Sequence, residues 1–80
     1  MRTRRLFWVL AFDSTAQAMA AEALFTARAL PGRMIPVPEE ITAGCGMAWR
    51  AGPGDREALL AALHGAGLGS GPERMVEMYG

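Results

Sequence analysis

One thiol carries most of the chemistry that this sequence could perform. Cys45 lies in the run Glu39-Glu40-Ile41-Thr42-Ala43-Gly44-Cys45-Gly46, with glycine on both sides. Lacking side chains, Gly44 and Gly46 allow positive φ and let a reaction partner come close to the sulfur, and successive N–H groups in such a turn form a nest that suits an anion. A thiolate, persulfide or selenide is the species it would stabilise. Arg50, five residues on, is expected to bring positive charge and so favour the thiolate. Glu39 and Glu40 would oppose it if they turned inward.

The remaining reactive side chains offer less. His64 is the only histidine, and a cation near the end of a helix is favoured by the dipole, which explains it without catalysis. One Cys and one His fall short of the four ligands of a tetrahedral site, so no metal is expected within one chain, and a site between subunits would need further ligands. A single cysteine also excludes an internal disulfide. Adjacent carboxylates such as Glu39 and Glu40 normally point apart into solvent and make no acid–base pair. The glycine-rich stretches at 52–54 and 65–71 lack the spacings that cradle nucleotides. All eight basic residues are Arg, which removes Schiff-base and P-loop lysine chemistry. No cofactor is expected beyond a transient persulfide or selenide on Cys45.

Eight Arg balance eight Asp and Glu, so the basic footprint of a nucleic-acid binder is missing. Eighty residues make one domain, 1–80, with residues 1–5 expected to be a flexible N-terminus. A chain this short buries only about 60% of its unfolded surface, so pairing with a second copy is expected. The basic start and apolar run superficially resemble a signal peptide, but Asp13 ends the run after seven residues. No stretch approaches the roughly 20 apolar residues that span a bilayer. The reading is a cytoplasmic protein with no membrane partner.

The elements that must position the thiol follow from periodicity. Residues 6–12 are continuously apolar, as in a strand buried on both faces. Ser14 and Gln17 have capping-box spacing, and Ala16, Met19, Ala20, Ala23, Leu24, Ala27 and Leu30 form the expected stripe of a helix ended by Pro31-Gly32. Met34 to Val37, flanked by prolines, reads as an edge strand. Residues 39–46 are a turn-rich connection and 47–51 a strand. Asp55 caps a second helix with Ala58, Leu59, Ala62, Leu63 and Ala66 on one stripe, stopped by Gly65 or Gly67, and 75–79 is the last strand. Trp8 and Trp49 fall on strands and read as core or dimer-face residues. The order strand, helix, strand, strand, helix, strand is the ferredoxin-like βαββαβ arrangement of the α+β class. Right-handed crossovers place both helices on one face of a four-stranded antiparallel sheet and leave the other face for a partner, the expected site of homodimerisation.

Several segments together resemble one family: Phe12-Asp13-Ser14-Thr15 with Ala18 and Glu22, then Ile35-Pro36-Val37-Pro38, Cys45-Gly46-Met47-Ala48-Trp49-Arg50, and Val76-Glu77-Met78-Tyr79. In this order the chain is similar to the Se/S carrier protein-like family, small bacterial proteins linked to selenium or sulfur metabolism. The resemblance implies that Cys45 carries sulfur or selenium as a persulfide or selenyl-sulfide, a covalent carrier rather than a turnover enzyme. It also implies donor and acceptor proteins of sulfur or selenium transfer as partners. The alternative is a small ferredoxin-like interaction or regulatory module in which the cysteine is incidental. A thiol sensor, forming a disulfide across a dimer, is the third reading.

Overall fold

A computed structural model describes residues 3–41 and 44–80 of the chain. Six principal elements follow in order: β1 (Arg4–Ala11), α1 (Thr15–Ala27), β2 (Arg33–Pro36), β3 (Met47–Ala51), α2 (Arg56–Gly65), which a 3-10 turn over Pro53–Asp55 precedes, and β4 (Glu73–Tyr79). The strands form one antiparallel sheet in the order β2-β3-β1-β4, the α+β ferredoxin-like arrangement. β1 is central, and Trp8 to Phe12 are all essentially inaccessible, as their unbroken apolar run requires. Of the N-terminal five residues, Arg4 and Arg5 are strand residues opposite Tyr79 and Met78, and residues 1 and 2 lie outside the described residues.

The two sides of β1 supply two cores. Trp8, Leu10 and, beyond the strand, Phe12 pack with Trp49 and Ala51 of β3 under Ala18, Ala21 and Phe25 of α1 and Leu59, Ala62 and Leu63 of α2. Phe25 and Trp49 meet at 4.9 Å between ring centroids, tilted by 55°. On the distal face, away from the helices, Phe7, Val9, Ala11, Ala48 and Val76 form a second cluster. Ile41 covers it from the loop between β2 and β3, so the chain itself shields part of the face.

The stripe of α1 differs from the expected one. Its buried positions are Ala18, Ala21 and Phe25, and Met19 is 66% exposed. Alanines on every side leave the helix with little amphipathic contrast, so its bulky residues decide which side faces the sheet: Phe25, fully buried on Trp49, and Leu24, partly buried against the same core. The helix also ends three residues before Leu30. The N–H of Leu30 bonds to the Phe25 carbonyl at 2.9 Å and that of Ala29 to Thr26 at 3.1 Å, with Ala29 left-handed at φ 52°. α2 closes identically, Leu68 to Leu63 at 2.9 Å and Gly67 to His64 at 3.0 Å, but with glycine at φ 69°. This is the Schellman closure, which glycine adopts without Cβ strain. Ala29→Gly is therefore expected to stabilise the fold by about 0.5–1 kcal/mol, the left-handed penalty less the entropy glycine loses. A thermal midpoint that falls in this variant would contradict the assignment.

At the far end of α2, Glu73 joins β4 to the core. Its carboxylate accepts from Arg56 Nη2 at 3.0 Å and from the indole N–H of buried Trp8 at 2.8 Å. These bonds, with Arg56 the larger cause, hold the Glu73 carboxyl below its ordinary value of 4.5. A lowered carboxyl contributes stability that is present above the ordinary value and is lost as pH falls through the lowered one. Because Glu73 and Arg56 are both largely in water, the contribution is small. Acid unfolding of Glu73→Gln, followed by tryptophan fluorescence, should lack this component below pH 4.5. An unchanged acid limb would show that the carboxylate is not coupled to folding.

Candidate functional site

The cysteine lies in the connection from β2 to β3, which is closed at its base by the Val37 N–H donating to the Gly46 carbonyl at 2.9 Å. The loop straddles the end of the sheet. Ile41, tethered by its N–H to Pro38 at 3.0 Å, turns into the distal cluster, while Cys45 packs at the edge of the helix-side core. Arg74 of β4 donates to the Glu40 carbonyl at 2.9 Å and so ties the outer limb of the loop to the far strand. Thr42 and Ala43 lie outside the described residues.

The two glycines serve different purposes. Gly46 is left-handed at φ 76°, a conformation that favours glycine, and a Cβ there would meet nothing within 4 Å. Gly44 is needed for close approach instead, because a Cβ would stand 2.4 Å from the Asp13 carbonyl oxygen. The loop thus rests on the junction of β1 and α1. That seat is fixed by the helix cap: Ser14 Oγ accepts the Gln17 N–H at 3.1 Å, and Gln17 Oε1 reaches back to accept the Asp13 N–H at 2.9 Å.

The thiol itself is half-buried. The Met47 N–H donates to Cys45 Sγ at 3.4 Å, and the thiol faces the Met47 carbonyl at 3.7 Å. One residue therefore offers the sulfur both a donor and an acceptor, and the donor remains for a sulfur that has lost its proton. The Met47 side chain lines an apolar groove of about 310 Å³ with Ala18, Met19 and Met34, bordered by Thr15 and Glu22. Polarisable thioethers thus lie along the surface next to the thiol's anchor.

Arg50 does not join this site. Strand alternation turns Met47 and Trp49 toward the helices and Arg50 to the distal face, where its guanidinium lies 4.3 Å above the Phe7 ring and Nη1 is 3.9 Å from Met78 Sδ. The structure therefore brings Gly44, Cys45 and Gly46 together but leaves the expected stabilising cation on the other side of the sheet. Glu39 and Glu40 are exposed. His64 is in the last turn of α2 and lines a separate groove of about 440 Å³ with Leu60, Leu68, Ser70 and Glu73. Among the described residues, no group of three or more His, Cys, Asp or Glu side chains could hold a metal.

The sequence pattern of a family described as "Putative Se/S carrier protein-like" matches residues 7–71, from within β1 to the turn before β4, and includes the whole cysteine loop. The chain belongs to this family. No curated protein and no solved structure matches the chain. Among the described residues of this Se/S carrier-like protein, no helix is long and apolar enough to cross a membrane. Two residues that position the candidate site are given no role by the sequence: Met47, which contacts the thiol through its backbone, and Asp13, on which the loop is seated. Both fall within the segments that resemble the family, and the capping sequence Asp13-Ser14-x-x-Gln17 fixes a rigid helix start, but neither signal shows what rests on it.

Proposed function

We propose that this Se/S carrier-like protein holds sulfur or selenium on Cys45 and passes it between partner proteins. The observation that carries the reading is a half-buried thiol bonded to the Met47 N–H, beside a left-handed glycine whose outer side is clear. A carrier needs a sulfur that is held yet reachable, and it needs no substrate pocket. In loading, the Cys45 thiolate attacks the outer sulfur of a donor persulfide; the donor S–S bond breaks, the donor thiolate leaves and a persulfide forms on Cys45. In delivery, an acceptor thiolate attacks that outer sulfur and Cys45 leaves as thiolate. Loading from free selenide forms an S–Se bond and removes two electrons, which an added mild oxidant must take up. The Met-lined groove supports docking of these partners beside the loop.

Intact-mass spectrometry tests this on the wild type and Cys45→Ser after incubation with a cysteine desulfurase and cysteine, or with selenide and a mild oxidant. One sulfur or selenium should add to the wild type alone, survive desalting and leave on reduction. A Cys45 that alkylates normally yet stays unloaded under both conditions would sink the carrier reading in favour of an interaction module.

A further inference from the structure

Half of the eight arginines share one face of the sheet. The registers align three of them. Arg33 is opposite Arg50, Arg50 is opposite Val9, and Val9 is opposite Arg74, so one row crosses all four strands as Arg, Arg, Val, Arg. With strands roughly 4.8 Å apart, the row is about 14 Å long. Arg5 shares the face by alternation with Phe7 and Val9. Its guanidinium lies 5.3 Å from the Phe7 ring centroid, and that of Arg50 lies 4.3 Å from the same centroid.

No strand carboxylate faces this row. Glu73 and Glu77 alternate onto the helix side, and Glu73 is engaged by Arg56 in the one guanidinium–carboxylate ion pair among the described residues. Arg74 spends one donor on the Glu40 carbonyl, and Arg50 reaches a methionine sulfur; neither contact brings a negative charge. Glu39 and Glu40 border the face from the loop without pairing to it. Directly opposed like charges such as Arg33 and Arg50 destabilise a sheet. Gly80 lies against Phe7 and Arg50 at the β4 end of this face, and no ion pair to the four guanidinium groups is formed among the described residues, so an arriving anion would relieve the repulsion between them.

We propose that the distal face is the docking surface for an extended acidic protein segment, whose carboxylates pair with Arg33, Arg50 and Arg74 and with Arg5. An extended chain presents same-side carboxylates about every 7 Å, so three of them span the row. Guanidinium groups bind carboxylates through paired N–H donors, and the Phe7 ring holds two of them in place beforehand. A nucleic acid fits less well, because stacking needs an exposed ring: Phe7 is 7% exposed, and Tyr79 alternates onto the opposite side. The proposal stands independently of what Cys45 carries.

The test is fluorescence anisotropy with a short labelled peptide of alternating glutamate and serine, at low and at physiological salt. Wild-type protein should bind it, more weakly as salt rises. The Arg5→Glu/Arg33→Glu double variant should bind at least about tenfold more weakly, and Arg28→Glu, a reversal at the end of α1, should match the wild type. Arg5→Gln/Arg33→Gln gives a milder loss, and its thermal midpoint should equal or exceed that of the wild type because the opposed charges are gone. Undetectable binding at low salt, equal loss from Arg28→Glu, a lowered midpoint in the glutamine variant, or tighter binding of a single-stranded oligonucleotide of equal charge would each overturn the assignment.

Discussion

Gly32→Ala should cost the domain about 3 kcal/mol or more, a large share of the roughly 4–12 kcal/mol that an 80-residue fold commands. Gly32 has φ 113°, a region that L side chains rarely adopt, and it lies where the chain leaves α1 for β2. A Cβ there would stand 2.3 Å from the indole nitrogen of Trp49 and 2.6 Å from the Arg50 carbonyl. That indole cannot simply step aside, since its N–H donates to the Pro31 carbonyl at 3.0 Å and its ring packs on Phe25. Urea unfolding of Gly32→Ala, Trp49→Phe and the double variant separates the causes. Strain and the Trp49 clash together predict a penalty that shrinks in the double variant without vanishing, because the backbone oxygen stays. Full additivity would show that the indole plays no part.

The second large effect concerns the thiol. Under the proposed carrier role, Gly44→Ala should slow loading of Cys45 from a donor persulfide by about tenfold or more, and it should destabilise the domain by about 1–3 kcal/mol, because the new Cβ collides with backbone at Asp13 and lifts the loop from its seat. The same displacement should make the thiol easier to reach for a small alkylating agent. Gly46→Ala meets no neighbour and carries only the left-handed penalty of about 1–2 kcal/mol, so its loading should be much less affected. Time courses of persulfide formation and of iodoacetamide labelling distinguish the two. Equal loading rates in Gly44→Ala and wild type would show that the seat on Asp13 does not matter for transfer.

The parts of this fold that could be read from the sequence are those set by local, strongly patterned signals. β3 occupies the expected residues, Ser14 and Gln17 cap α1, and the apolar run from Leu6 to Ala11 lies in the central strand. Where the pattern is flat, it does not fix which side is buried. The alanines of α1 look alike on every side, and the tertiary contacts of Phe25 with Trp49 and of Leu24 with the same core select its buried face. Arg50 departs from the expected position for a different reason: nearness in sequence to Cys45 says little when a strand turns alternate side chains to opposite faces. The tie from Trp8 to Glu73 joins residues 65 positions apart, and no local signal announces it.

The pairing of β1 with β4 also governs the order in which the molecule can assemble. Partners along this ladder are separated by 63 to 75 positions, so the central strand waits for the last one before its hydrogen bonds are complete. Such long-range closures slow folding. Arg74, which fastens the cysteine loop, arrives on that same strand. Until β4 docks, the thiol has its chemistry but lacks its full mounting, so a nascent chain presents an unguarded cysteine for longer than a helical protein of this length would.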